Sequence, residues 1–485
     1  MDQIDPAVHS TVRRIRKGCI APIVAASILS IPALADWPQF RGPSGAGVAD
    51  GGQPPVEFGP DKNLIWRIAV PGAPSSPCIA GDHIYLTAFA DGKLETLCVR
   101  RKDGKILWRQ SAPHQQLEAF HPSEGSPASA TPATDGKRVV VYFASYGLVG
   151  YDAEGRELWK LPMPIPSQAG DFGSGCSPIL VEGLVLLNRD QLQGSELLAV
   201  DAAQGTIVWR APRPECSSSF GTPVFWSNEG VGEVVLPGQN RMKAYDLKTG
   251  KERWTLRGLP TAVCTTPVVG DGLLIFAGWS PGKSDSPMPP FANIAETQDK
   301  DKDGIIAYEE AEAQWQSFFS SYDINRDRKL TQQEWDMFLE ILARGENVAL
   351  AVRPGGQGDI TESHVAWKYN RGLPYVASPL AYRDRLYFVK DGGLLTCLQA
   401  ASGQVVFAQE RLGAPGNYYA SPVAADGKIY CTALNGTIVV VRAGDTLEVL
   451  ARNNLSERTA ATPAIVDDRL YVRTDQHLYA FGNRP

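Results

Sequence analysis

Ala199-Val200-Asp201-Ala202-Ala203-Gln204-Gly205-Thr206-Ile207-Val208-Trp209 is the stretch that decides the fold, and Ala244-Tyr245-Asp246-Leu247-Lys248-Thr249-Gly250-Lys251-Glu252-Arg253-Trp254 repeats it at the same spacing. A small residue is followed by Asp, then Gly, then Trp. This reads as strand, turn, strand. Asp can bond backbone N–H groups in the turn, and Gly supplies the positive φ of a tight hairpin. Trp then stands on an outer strand with a large surface to bury.

The same ending recurs as Gly104/Trp108, Gly155/Trp159 and Gly403/Phe407. Each unit opens on a Ser/Thr-Pro pair: Ser76-Pro77, Thr131-Pro132, Ser177-Pro178, Thr222-Pro223, Thr266-Pro267, Ser378-Pro379, Ser421-Pro422 and Thr462-Pro463. The steps between them are 55, 46, 45, 44, 112, 43 and 41 residues. A period in the low forties with four strand signals per unit marks a β-propeller. Pro suits the first residue of a strand. The chain therefore reads as all-β, an eight-bladed β-propeller with four-stranded blades. The last unit lacks an outer strand of its own. Leu64-Ile65-Trp66-Arg67, within 63–70, is expected to supply it and close the ring against Leu478 to Phe481, which leaves no open edge.

The step of 112 residues holds roughly 68 more than the period requires. The surplus, 281–346, falls between the second and third strands of blade five. It divides the propeller into 36–280 and 347–485. Asp299-Lys300-Asp301-Lys302-Asp303-Gly304-Ile305-Ile306-Ala307-Tyr308-Glu309-Glu310 matches the twelve-residue EF-hand loop. Asp299, Asp301 and Asp303 would be calcium ligands, with the Ile305 carbonyl and a bidentate Glu310. A second loop starts 24 residues later, with Asp323, Asn325, Asp327, the Lys329 carbonyl and Glu334 in the same positions. Arg328 stands there in place of the turn glycine, at a cost of order 1 kcal/mol, so the second site is expected to be weaker. A helix over 309–319 is expected to join the loops. Trp335, Phe338, Leu339 and Leu342 form an apolar face after the second. Ile306 and Leu330 are placed to pair. A structural clamp is the expected role of two such sites, since calcium outside the cell fills even weak ones.

The 485 residues carry a net charge of -6 and no long basic run, which argues against nucleic acid. Arg13, Arg14, Arg16 and Lys17 precede an apolar run, Ile20 to Leu34, and Ala33-Leu34-Ala35 reads as a cleavage site. Residues 1–35 thus read as a signal peptide, the mature chain as lacking a membrane span, and its location as periplasmic or secreted. The alternative of a membrane anchor is disfavoured by Pro22, Pro32 and the short run. Seven scattered cysteines remain, with no C-x-x-C. Their odd number implies a free thiol.

In a propeller with antiparallel blades, the insert shares a face with the residues before each Ser/Thr-Pro. These include His121, Glu124, Asp171, Phe172, Cys176, Cys264, Arg371, Tyr375, Asn417, Tyr418, Tyr419 and Arg458. They are candidates for holding a polar ligand at the mouth of a central channel. A protein or polysaccharide partner is expected on this face.

The Trp motifs and blade period resemble the pyrroloquinoline-quinone-type (quinoprotein-like) eight-bladed propellers. Trp37-Pro38-Gln39-Phe40-Arg41-Gly42-Pro43 and Val389-Lys390-Asp391-Gly392-Gly393-Leu394-Leu395-Thr396-Cys397 are similar to an exported bacterial branch. That family holds both quinone-dependent dehydrogenases and non-catalytic binding propellers. The dehydrogenases carry a vicinal Cys-Cys pair and a Glu/Asn/Asp set. This chain has no adjacent cysteines, so no catalytic residue is carried over. The expected function is an exported calcium-binding scaffold; the alternative is a PQQ-dependent sugar or alcohol dehydrogenase using the channel.

Overall fold

The computed structural model describes residues 36–217, 219–228, 230–281, 288–316 and 318–483. The signal segment read at 1–35 lies outside them, as does 282–287 of the segment leading into the insert. Eight antiparallel sheets form the blades of a propeller. The first blade is Cys78–Ala80, His83–Ala90, Lys93–Arg100 and Ile106–Ala112, in sequence order across the sheet. The next six repeat the order, and in the eighth Leu64–Ala69 pairs antiparallel with His477–Gly482. The fourth carries an extra strand, Gly358–Asp359, parallel to Trp254–Thr255 on its outer edge.

The Trp motif works across blades. Asp201 Oδ1 accepts the N–H groups of Ala203 and Gln204, both at 2.8 Å, and Gly205 follows at φ +70°. Trp209 lies opposite Ala199 on the neighbouring strand, as Trp108 lies opposite Cys98 and Trp159 opposite Gly150. The small partner leaves room for the indole. Trp209 then reaches the next blade, where its Nε1 donates to the Leu247 carbonyl at 3.0 Å. A Cβ on Gly250 would sit 2.5 Å from that indole. Gly is therefore needed twice, for its φ and for the ring stacked on it. Trp66, Trp108, Trp159 and Trp367 repeat the docking on Gly104, Gly155, Gly205 and Gly403. Trp254 differs: its Nε1 donates to Glu233 of its own blade.

The Ser/Thr-Pro pairs form a circuit at the hub. Each Ser/Thr donates its backbone N–H to the hydroxyl of the next one, from Ser76 to Thr131 and onward to Ser421 and Thr462. Thr462 returns the bond to Ser76, and all eight bonds measure 2.9–3.1 Å. The following Pro has no N–H to compete and fixes φ for strand entry.

Residues 36–49 cross this hub. Asp36 accepts from the Gly81 N–H at the face far from the hydroxyl circuit, and Trp37 exchanges two backbone bonds with Ile79. Pro38 accepts from Thr134, Arg41 donates to the Pro379 carbonyl, and Gly47 and Ala49 pair with Ala424. Trp37 and Arg41 are wholly buried. Burial without an acid partner pushes the Arg41 guanidinium down to about 9.

In blade five, Leu273–Gly278 pairs directly with Val348–Val352. Between them run α1 (Phe291–Gln298), α2 (Ala313–Gln316), α3 (Phe319–Tyr322) and α4 (Gln332–Arg344). The helix expected over 309–319 is instead two short pieces, α2 and α3. Phe318 breaks it at φ −119°, ψ 10°. The break lets Phe318 face outward while Phe319 joins a core with Phe291, Ile294, Ile306, Leu330 and Trp335. Thr331 and Glu334 form a capping box at the start of α4. Among the described residues no helix is long and apolar enough to cross a membrane.

Candidate functional site

The two acidic loops fold alike. In the first, Asp299 Oδ2 accepts the Gly304 N–H at 3.0 Å, Asp301 accepts from Asp303, and Asp303 from Ile305. In the second, Asp323 Oδ2 accepts the Arg328 N–H at 2.9 Å, Asn325 accepts from Asp327, and Asp327 from Lys329. Glu310 and Glu334 both turn back onto their own loops, accepting from Asp301 and Asn325 respectively. Ile306 and Leu330 face each other across a short antiparallel pair. Carboxylate oxygens of Asp299, Asp301 and Asp303 lie within 4.8 Å of one another. Charges so close repel unless a cation bridges them.

Arg328 takes φ +65° where the first loop has Gly304 at φ +89°. Its guanidinium lies 4.2 Å from the centre of the Tyr308 ring and pairs with Glu309. These contacts offset part of the backbone cost. Burial pushes the Asp323 carboxyl up, against the two backbone N–H groups that it accepts.

The second loop also touches the propeller. Arg326 pairs with Asp171 at 3.0 Å and donates to the Gln168 carbonyl. Asn240 Nδ2, at a hairpin turn of blade four, donates to the Ile341 carbonyl of α4 at 3.0 Å. The helical segment thus stands over the channel mouth. Between the two is a cavity of about 1130 Å³. Ser76, Thr131, Ser177, Thr222, Thr266 and Thr462 of the hydroxyl circuit border it, and Phe40 lines it from the hub. Phe338, Ile341 and Leu342 of α4 line the other side.

Of the residues read as ligand-binding, His121, Glu124 and Tyr375 line the cavity, with Phe172, Cys264 and Tyr419. Glu124 accepts from the Tyr419 hydroxyl. Asp171 is taken by Arg326. Arg371 and Asn417 do not border the cavity. Arg458 pairs with Asp475 at 3.3 Å and donates to the Ser123 carbonyl. Tyr418 corrects the sequence reading most clearly. It is 1% exposed and its hydroxyl donates to the Ala414 carbonyl, because the alternation along 417–419 turns it into the core beside Leu395 and Val439. Cys176 is likewise buried, its Sγ donating to the Asn188 carbonyl.

The sequence reading missed Ser174, Glu215, Asn240 and Arg241, which all line the cavity. Asn240 and Arg241 sit on the turn between the second and third strands of blade four. That is the kind of turn that carries the insert in blade five, so a search of these turns finds them. Behind Ser174 lies the buried Glu118 carboxyl, accepting the Ser174 N–H at 2.8 Å. Burial pushes it up to about 7.

Residues 56–186 and 322–482 match the family described as outer membrane protein assembly factor BamB. The chain belongs to this family. The expected kinship with quinoprotein-like eight-bladed propellers holds. The BamB assembly factor of Burkholderia pseudomallei is 24% identical over 209 residues, 41% of this chain and 48% of that protein. The crystal structure of BamB from Moraxella catarrhalis superposes with a TM-score of 0.55 at 14% identity, covering 87% of this chain and 99% of that one. A europium-containing methanol dehydrogenase superposes with a TM-score of 0.54 at 11% identity, covering 93% of this chain and 98% of that one. At these identities the likeness is one of fold. The chain spans less than half the length of the curated relatives it matches.

Proposed function

We propose that this BamB-family protein is an exported, calcium-binding propeller that acts as a binding or scaffold module. The observation that carries this is the pairing of two acidic loops, alike in register, with a helical segment seated over the channel mouth. The mature chain is periplasmic or secreted once 1–35 is removed near Ala35. The strand within 63–70 closes the ring, and 281–346 is an EF-hand pair inserted in blade five. Three converging carboxylates with Glu310 in reach suit calcium, which takes hard oxygen donors. Asp323, Asn325, Asp327 and Glu334, with the Lys329 carbonyl, form the weaker site, since Asn replaces one carboxylate and Arg328 strains the turn. The partner is a protein or polysaccharide bound on the loop face.

The rival is a PQQ-dependent dehydrogenase. That cofactor is a tricarboxylate, and a lining with few cations supports the scaffold reading over it. Glu124, Glu215 and Glu340 outnumber Arg241 and Arg344 along the lining. No cysteine pair is adjacent in sequence. Calorimetric titration with calcium tests the proposal, with two classes of site expected. Titration with the quinone tests the rival. Stoichiometric uptake with dye-linked oxidation of an alcohol or sugar would overturn the scaffold reading.

A further inference from the structure

We infer that the cavity between the helical segment and blades three and four binds a neutral sugar chain of a few rings. This rests on the reading that the loop face is the binding face.

Buried polar groups are nearly always hydrogen-bonded. Two that line this cavity are not. They are Asn240 Oδ1, on a residue 9% exposed, and Arg241 Nε. Asn240 is oriented by its other atom, Nδ2, which donates to Ile341. The lining of the cavity therefore holds an acceptor and a donor on successive residues, neither of them satisfied within the protein. A ligand hydroxyl, which donates and accepts at once, satisfies such a pair.

The charges argue for a neutral ligand. Glu215 pairs with Lys243 and lies 3.9 Å from Arg241. Glu340 pairs with Arg344, and Glu124 takes the Tyr419 hydroxyl. A charged ligand would have to break these pairs.

The walls supply the remaining feature. Phe172, Phe220 and Phe338 border the cavity. Aromatic surface suits the C–H face of a sugar ring, while the hydroxyls reach the polar atoms. The volume of about 1130 Å³ exceeds that of a single-ring site.

The test is calorimetry on the full mature protein with cellotetraose, maltotetraose and the tetramer of N-acetylglucosamine. Tetragalacturonate serves as the charged control and an uncharged Phe/Leu-rich nonapeptide as the macromolecular one. Saturable binding of at least one neutral tetramer is expected, with the uronate weaker. Asn240→Ala and Phe172→Ala should each weaken it at least tenfold, the second while leaving the thermal midpoint unchanged. The Phe172 ring is 37% exposed, so its variant folds. Binding of the peptide but of no sugar overturns the inference and leaves the binding face standing. Absence of binding by either overturns both. Sugar binding that neither variant weakens also overturns the inference, because it places the site elsewhere.

Discussion

The backbone N–H of Thr462 donates to the hydroxyl of Ser76 at 3.0 Å, across 386 residues of chain. This bond joins the last blade to the first and completes a circuit in which every member is buried and bonded alike. The circuit sets a clear expectation for substitution. Four members are Ser and four are Thr. Ser76→Thr keeps the acceptor and should change stability by less than about 0.5 kcal/mol. Ser76→Ala strands a buried N–H and should cost about 1–3 kcal/mol. Urea denaturation with both variants checks this; equal midpoints would remove the circuit from the account of stability.

Gly250→Ala is expected to be more damaging than its chemistry suggests. The new Cβ meets the Trp209 indole at 2.5 Å while the backbone holds φ +68°. The left-handed backbone alone costs about 1–2 kcal/mol, before the ring is displaced. Trp209 fluorescence should shift to the red as the indole undocks. The same change at Gly183, where no atom lies within 4 Å of the added Cβ, should carry only the backbone cost.

Glu310→Gln should abolish most calcium binding at the first loop, because the bidentate carboxylate is lost. Calorimetry should then record the weaker second site alone. Unchanged stoichiometry and affinity would refute the assignment of Glu310 as a ligand.

The Glu118 carboxyl predicts a pH dependence. Its native value is raised to about 7 by burial, whereas an unfolded Glu titrates near the ordinary value of about 4.3. Between these values the native state binds the extra proton, so stability falls as pH rises from about 4.5 to 7 and levels off above. In Glu118→Gln that slope should disappear, and the variant should gain on the parent at pH 8 relative to pH 5. Urea midpoints at the two pH values measure it. A parallel pH profile in the variant would assign the slope to other groups.

The blades were legible because their signals are local. Asp201, Gly205 and Trp209 lie within one hairpin, and the Ser/Thr-Pro period repeats often enough to count. The reading failed where partners lie far apart. Nothing in 36–49 is periodic, so its passage through the hub was hidden. The hydroxyl circuit was hidden too, since each bond joins residues 41 or more apart. Tyr418 is not legible as a core residue, because it stands in irregular chain between an exposed Asn417 and a half-buried Tyr419. Asn240 and Arg241 carry no motif; the bond from Asn240 to α4 and their place in the cavity lining come from tertiary structure alone. The broken helix at Phe318 follows the same logic, with tertiary packing overriding local propensity.

The hub segment spans the ring. Asp36 to Ala49 bonds to the first, second, sixth and seventh blades, with Trp37 and Arg41 buried along it. It acts as a spoke, tying two pairs of blades that are not neighbours in the circle. Shear between those blades is then resisted from within the ring and not only at the outer strands where the tryptophans dock.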